Sequence, residues 1–145
     1  MRRLTPEVRL RVMRSIRKTD TRPEMAVRRI VHGLGFRYRL HVRGLPGNPD
    51  IVLPRWRKII QVHGCFWHQH TGCRLARLPR SRPEYWIPKL ARNQERDALS
   101  VRALEALGWS VLVIWECQTE STAQLTRTLA AFLDGQPTAR RVAAL

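Results

Sequence analysis

Side chains that bind metals are concentrated in one stretch of this sequence, residues 63–73. The stretch holds three of the five histidines and two of the three cysteines. Cysteine thiolates and imidazole nitrogens are the preferred ligands of tetrahedral zinc, and Cys65, His70 and Cys73 have the spacing of a zinc knuckle. Cys117 is the remaining cysteine, and if it supplies the fourth ligand, the four residues form a structural zinc site. The alternative is a set of scattered core cysteines and surface histidines.

Two histidines of the same stretch, together with one aspartate, have the pattern of a phosphodiesterase site. Asp50 begins one predicted strand, and His63 follows Val62, the last residue of the next predicted strand. Two adjacent strands joined by a tight turn bring these ends together, so Asp50, the Val62 carbonyl and His63 can face one pocket. Mg²⁺ takes oxygen ligands, commonly one or two carboxylates plus phosphate oxygens of the substrate. His68 could then take a proton from an attacking water, whereas Asp50 alone would be explained as a turn cap.

The charge of the chain predicts a polyanionic partner. Lys and Arg number 27 against 11 Asp and Glu, which gives a formal net charge of +16. All but three of the basic residues are arginine, whose guanidinium group forks onto phosphate oxygens and stacks on bases. Such an excess on a small domain makes nucleic acid the expected partner. The alternative is a basic surface without a specific partner.

The length and the cysteine count bound the class of protein. A chain of 145 residues is the size of one domain and should bury about 70% of the surface that its unfolded form exposes. An odd number of cysteines and a basic N-terminus without an apolar segment predict a cytoplasmic protein with reduced thiols. Because no run approaches the ~18 apolar residues of a spanning helix, we expect no membrane insertion.

The positions of apolar and turn-forming residues predict the order of helices and strands. Residues 1–20 are predicted to form a basic N-terminal arm that contains a short helix starting at Thr5. Thr21 and Glu24 have the spacing of a capping box at the start of the first core helix. The further predicted elements are strands at 36–42, 50–53 and 58–62, a helix that begins near Glu84 or Pro88 and ends at Gly108, a buried strand at 109–115 and a helix at 121–135. This order predicts an α/β sandwich with a central mixed sheet, in which the last strand lies beside the third through a right-handed crossover. Residues 136–145 are predicted to be a disordered tail.

Four strings of the sequence resemble a known family. They are PGNPDIV at residues 46–52, HGCFWH at 63–68, RNQERD at 92–97 and VIWEC at 113–117. Together they resemble the very-short-patch repair (Vsr) DNA mismatch endonucleases, and the resemblance runs from about Met13 to Phe132. It implies a restriction-endonuclease-like, three-layer α/β fold with a structural zinc site, and residues 21–135 as the endonuclease domain. The implied activity is Mg²⁺-dependent nicking of one strand of double-stranded DNA, 5′ to the thymine of a T:G mismatch.

The resemblance also implies roles for residues of the catalytic and metal sites. Asp50 is similar to the metal-binding aspartate of the family, with the Val62 carbonyl as a second Mg²⁺ ligand, and His63 and His68 match its active-site histidines. Glu24 matches an acidic residue that supports the catalytic histidine, besides its expected place in the capping box. The residues that match the structural zinc ligands are Cys65, His70, Cys73 and Cys117.

Further matched positions concern DNA recognition. Phe66, Trp67 and Trp86 match the aromatic residues that wedge into the mismatched duplex. Met13, on the arm, matches a methionine that enters from the other groove. Lys89 and Asn93 match the polar residues that read the mismatch. The implied partners are T:G-mismatched DNA and other mismatch-repair proteins, and we expect a monomer associated with the nucleoid.

The sequence departs from the family pattern at two points. Val62 stands where the family has a threonine, so a role for a side-chain hydroxyl would be lost while a contact through the backbone carbonyl would survive. The knuckle has one more residue between Trp67 and Cys73, so another group could replace His70 as the third ligand. Two alternatives stay open at this point: an endonuclease of the same fold with another DNA target, and a zinc-stabilised DNA-binding module without catalysis.

Overall fold

The computed structural model describes residues 5–7 and 20–134 of the chain. Pro6 and Glu7 are helical, as the predicted helix start requires, whereas Met13, the rest of residues 8–19 and residues 135–145 lie outside the described ranges. Within these ranges the elements with described bounds are α1 (Arg22–Gly33), β1 (Arg39–Leu40), β2 (Ile51–Leu53), β3 (Lys58–His63), α2 (Pro83–Ala106), β4 (Ser110–Trp115) and α3 (Thr122–Asp134). None of the described helices is long and apolar enough to cross a membrane.

The four strands form one mixed sheet in the order β1, β2, β3, β4. β2 pairs antiparallel with β1 and with β3, and β3 pairs parallel with β4. A short turn joins β2 to β3, whereas α2 lies between β3 and β4 in the chain because parallel strands need a long crossover. The register places His63, the last residue of β3, beside Trp115, the last residue of β4. The prediction that the last strand lies beside the third is therefore confirmed.

Helices pack against both faces of the sheet. On one face the buried residues of α1 and α3 recur every three or four residues, as expected for one side of a helix. They pack with side chains of β2, β3 and β4 in a core formed by Val27, Val31, Ile51, Leu53, Ile60, Ile114, Leu125, Leu129 and Leu133. On the other face, Leu104 of α2 packs with Val52, Ile59 and Trp109. Because side chains alternate along a strand, the single strand β2 contributes to both cores.

Three elements differ from their predictions in length or burial. The strand predicted at 36–42 is reduced to β1, because His41 has a φ of 47° and this left-handed conformation ends the extended segment. β4 is less buried than predicted, because it lies at an edge of the sheet, and Ile114 is its one fully buried residue. α2 begins at Pro83, so Pro88 lies inside the helix rather than at its start.

Candidate active site and metal cluster

Four ligand-type side chains meet where β3 and β4 end. Cys65 follows β3 and Cys117 follows β4, and the parallel pairing of these strands brings them side by side, with the Cys117 N–H nitrogen 3.4 Å from the Cys65 Sγ. The His70 Nδ1 lies 3.4 Å from the Cys117 Sγ and 3.7 Å from the Cys65 Sγ, and with Cys73 all four ligand atoms lie within 4.8 Å of one another. Metal bonds of about 2.3 Å to sulfur and 2.0 Å to nitrogen, at tetrahedral angles, separate the two atoms by about 3.6 Å. The group therefore has the spacing of a tetrahedral metal site.

Contacts within the loop hold the His70 ring beside the thiols. The His70 N–H donates to the Cys65 carbonyl at 2.9 Å, and the Cys73 N–H donates to the His70 carbonyl at 3.2 Å. The ring also stacks on Trp115 of β4, with 4.3 Å between the ring centroids. Burial raises the pKa of the Cys65 thiol to about 12, so this thiol needs a cation beside it to ionise. Three thiols and one imidazole are a ligand set that suits zinc.

Asp50 lies directly before β2, and its carboxylate is turned toward β3. The Val62 N–H donates to the Asp50 Oδ2 at 2.8 Å. Because the N–H and C=O of a strand residue point to the same side of the strand, the Val62 carbonyl faces the same edge as this carboxylate. Burial raises the pKa of Asp50, against the opposing effects of the Val62 N–H and of the charges of His41 and His68. A half-buried carboxylate beside a backbone carbonyl suits Mg²⁺, which prefers oxygen ligands.

His63, His68 and Asp97 form a second group beside Asp50. His63 is 7% exposed, and its ring stacks on that of His68 with 4.0 Å between the centroids. The His68 Nδ1 lies 2.5 Å from the Asp97 Oδ2, which leaves the His68 Nε2 available to a substrate or a water. Burial, together with the nearby His68, lowers the pKa of His63 to about 4, so the His63 imidazole is neutral at neutral pH.

Asp97 is a site residue that the sequence analysis missed. Its side chain meets His68 although 29 residues separate the two in the chain. The available signal was its place at the end of the string RNQERD, which contributes to the family resemblance. The pairing itself depends on how α2 lies against the loop after β3, and no local pattern in the sequence specifies that.

Glu24 lies close to Asp50, but its described partners differ from those expected. Its side chain is 3% exposed, and its Oε1 lies 2.9 Å from the His41 Nε2. Burial raises the pKa of Glu24, and the charge of Asp50 raises it further. One half of the predicted capping box is present, since the Glu24 N–H donates to the Thr21 Oγ1 at 3.3 Å, whereas the Glu24 side chain accepts from the Asp20 N–H at 3.1 Å. Among the described contacts, the Glu24 carboxylate pairs with His41 and with neither His63 nor His68.

The aromatic residues expected to enter the duplex form one cluster. The ring centroids of Phe66 and Trp67 are 5.1 Å apart, and that of Trp86 lies 5.4 Å from Phe66 and 5.8 Å from Trp67. The Lys89 Nζ lies 5.7 Å from the Trp67 ring and 5.9 Å from the Trp86 ring. The Asn93 Nδ2 donates to the Trp67 carbonyl at 3.1 Å, so Asn93 ties α2 to the loop that carries the cluster.

One cavity of about 600 Å³ borders both the histidine pair and the metal cluster. Its walls include His63, His68 and Asp97, together with His70 and Trp115. One ligand-type residue of the metal cluster therefore lines the same cavity as His63 and His68.

Relatives with known activity identify the family. Residues 1–74 match the model of a protein family described as DNA mismatch endonuclease Vsr. The chain is 48% identical over 132 residues to the type II nicking enzyme V.XorIIP of Xanthomonas oryzae pv. oryzae, covering 91% of this chain and 96% of that protein. It is 40% identical over 114 residues to the DNA mismatch endonuclease Vsr of Escherichia coli, covering 79% and 72% of the two chains. It is 38% identical over 112 residues to the type II nicking enzyme V.NmeAIP of Neisseria meningitidis, covering 77% and 79%. The family match and these relatives show that the chain belongs to the Vsr family of DNA endonucleases.

Proposed function

We propose that this endonuclease nicks one strand of double-stranded DNA 5′ to the thymine of a T:G mismatch, by Mg²⁺-dependent hydrolysis of a phosphodiester bond. The observation that carries the proposal is the convergence of Asp50, His63, His68 and Asp97 at one end of the sheet. The names of the relatives support a mismatch substrate and a nick, since they include a DNA mismatch endonuclease and several nicking enzymes. The restriction-endonuclease-like fold is part of the same proposal, supported by the mixed sheet and its flanking helices.

Asp50 and the Val62 carbonyl would hold the Mg²⁺ ion. The Asp50 carboxylate is partly removed from water, which favours a cation at its free oxygen. When bound, Mg²⁺ polarises the scissile phosphate and lowers the pKa of a coordinated water. The contact uses the backbone of Val62, so a valine at this position serves as well as a threonine.

His68 is the proposed general base. Its Nδ1 pairs with Asp97, so the ring is held in one orientation and its Nε2 can take the proton of the attacking water. His63 stays neutral next to it, because burial lowers its pKa to about 4, and it can hydrogen-bond to the substrate without repelling a cation. Glu24 interacts electrostatically with Asp50 and is proposed to support the catalytic site.

The zinc knuckle, residues 65–73, is proposed to support both DNA recognition and catalysis, with zinc as its ion. His68, Phe66 and Trp67 all lie between Cys65 and His70, so closing the metal site fixes the loop that carries them. The half-buried aromatic cluster is proposed to wedge into the duplex, since stacking contributes about 1–3 kcal/mol per base and a mismatched step is easier to open.

Lys89 and Asn93 flank the cluster on α2 and are proposed to read the mismatch. Met13 and the basic residues of the proposed arm 1–20 would contact the other groove. We further propose that residues 21–135 form the endonuclease domain, that residues 136–145 form a disordered tail, and that the protein acts as a monomer alongside other mismatch-repair proteins at the nucleoid.

Single-turnover nicking of T:G and matched duplexes in Mg²⁺ tests this function. We expect wild-type protein to nick the T:G duplex next to the thymine, and Asp50→Ala to lose cleavage while DNA binding largely persists. The exposed Asp134 at the end of α3 provides a matched control, and Asp134→Ala should nick normally.

Each alternative function predicts a different result in the same assay. Equal cleavage of the matched duplex would indicate an endonuclease with another target. Binding without cleavage by the wild-type protein would indicate a DNA-binding module.

A further inference from the structure

A third group of ligand-type side chains lies next to Asp50 and shares Glu24 with the site described above. It consists of Asp20, Glu24 and His41, whose ligand atoms all lie within 4.8 Å of one another. Asp20 directly precedes the cap of α1, and His41 directly follows β1. The His41 N–H donates to the Asp50 carbonyl at 3.0 Å, so this group adjoins the proposed Mg²⁺ site without sharing its ligands.

The distances in the group match those around a divalent ion. The His41 Nε2 lies 2.9 Å from the Glu24 Oε1 and 3.7 Å from the Asp20 Oδ1. Divalent ions such as Mg²⁺ and Zn²⁺ bind oxygen and nitrogen at about 2.1 Å. At that bond length, two neighbouring ligands are about 3.0 Å apart in an octahedral site and about 3.4 Å apart in a tetrahedral one. The observed separations therefore leave room for an ion bound by all three residues.

Two buried atoms at the centre of the group lack hydrogen bonds. The Glu24 Oε1 and the His41 Nε2 are both inaccessible to solvent and form no hydrogen bond with any residue in the part of the chain that the structure describes. They face each other at 2.9 Å, yet this contact does not have hydrogen-bond geometry. The Glu24 residue is 2% exposed; its Oε2 accepts from the Asp20 N–H at 3.1 Å, and leaving the buried Oε1 without a hydrogen bond is costly. An ion between the two atoms would satisfy both.

Arg28 provides the positive charge beside the group in the described structure. Its Nη1 lies 2.6 Å from the Asp20 Oδ1 and 3.8 Å from the Glu24 Oε1. The Arg28 Nε is itself buried without a hydrogen bond in the described part of the chain, so the guanidinium is an imperfect partner. The Asp20 side chain is 54% exposed, which gives an ion a route from solvent.

We propose that Asp20, Glu24 and His41 form a second divalent-cation site beside Asp50, with Arg28 as the competing cation. The two carboxylates suit Mn²⁺ as well as Mg²⁺, and the imidazole adds a nitrogen ligand that a first-row transition ion such as Mn²⁺ accepts more readily than Mg²⁺ does. Binding moves the Arg28 guanidinium away from the carboxylates. The bound ion then places positive charge next to the strand end that carries Asp50.

Mn²⁺ binding to zinc-loaded protein tests the proposal without DNA or activity. Asp50→Asn removes the charge of the proposed Mg²⁺ site and keeps an oxygen for the Val62 N–H. In this background, an electron paramagnetic resonance titration with MnCl₂ should show one bound ion per chain. Adding His41→Ala should weaken binding about tenfold or more, on the scale seen when a metal site loses a supporting group. His32, exposed on the last turn of α1, gives the matched control His32→Ala, which should bind normally.

The Arg28→Gln variant distinguishes a specific effect on Mn²⁺ binding from a general loss of the fold. Removing the competing guanidinium should tighten Mn²⁺ binding, whereas a loss of fold can only weaken it. No bound ion in the Asp50→Asn protein, unchanged binding after His41→Ala, or weaker binding after Arg28→Gln would each overturn the second site. The proposed nicking function would survive all three results, because it is measured with Mg²⁺ on T:G duplexes.

Discussion

At the scale of single residues, the environment of each titratable group decides its role. His63 and His68 are neighbours with stacked rings, but one is buried at the end of a strand and the other pairs with a carboxylate. Burial lowers the pKa of His63 to about 4, which suits a neutral hydrogen-bonding group. Pairing with Asp97 orients His68, which suits a base. The two histidines of one sequence string are therefore suited to the two different roles proposed for them.

Asp97→Asn tests how much this orientation contributes. An amide can keep the size of the side chain, but it can donate to the His68 Nδ1 and so favour the tautomer whose Nε2 cannot accept a proton. A positioned general base contributes about 10²–10⁴-fold, so we expect single-turnover nicking of a T:G duplex to slow about a hundredfold or more, with DNA affinity little changed. Glu95→Gln, at an exposed position of the same helix, is the control. A near-wild-type rate in Asp97→Asn would show that His68 does not depend on this partner.

At the scale of elements, the close packing of the loop before β2 against α2 sets the position of Asp50. Gly47 has a φ of +75°, and a Cβ at this position would lie 2.7 Å from the Ser100 Cβ on α2. Gly44, in the same loop, has a φ of +94° but no atom within 4 Å of such a Cβ. Both glycines suit the left-handed backbone, and Gly47 in addition allows the loop to touch the helix.

Comparing the free energies of unfolding of Gly47→Ala and Gly44→Ala measures the cost of a methyl group where the loop touches α2. Each alanine should cost roughly 1–2 kcal/mol for its left-handed backbone, and Gly47→Ala should cost roughly 1–3 kcal/mol more because its methyl group overlaps Ser100. Urea unfolding measures both free energies. Gly47→Ala should also slow nicking, because Asp50 lies three residues further along the loop. Equal free energies of unfolding in the two variants would show that the helix yields without cost.

Most helices and strands, and the proximity of Asp50 to His63, could be predicted because the sequence patterns that specify them are local. Glu24 occupies the predicted cap of α1, and the alternating and apolar runs gave β2, β3 and β4 within one or two residues. Asp50 and His63 were expected together because a hairpin joins their strands. The pairing of Asp97 with His68, and of His41 with Glu24, depends on packing between elements distant in the chain. β1 was overestimated because a left-handed histidine leaves no pattern in the sequence.

At the scale of the whole molecule, the cluster of Cys65, His70, Cys73 and Cys117 brings together the segments that follow β3 and β4. Cys65 and Cys117 are 52 residues apart in the chain, and α2 lies between them. The cluster fixes the end of the parallel pair β3 and β4, and with it the loop that carries His68 and the aromatic residues. A net charge of +16 opposes compaction through self-repulsion. A metal ion bound by this cluster would therefore stabilise the fold in addition to the hydrophobic core.

Removing the ion should therefore weaken the fold and not the active site alone. We expect one zinc per chain by elemental analysis, and we expect Cys117→Ser to lose it together with several kcal/mol of stability, because an ion that binds only the folded chain adds its binding free energy to the free energy of folding. Chelator treatment of the wild-type protein should lower the urea midpoint in the same way, and added zinc should restore it. Glu120→Gln, in the same turn but exposed, should keep both zinc and midpoint. Full stability of metal-free protein would show that the parallel strand pairing holds the cysteines together without the ion.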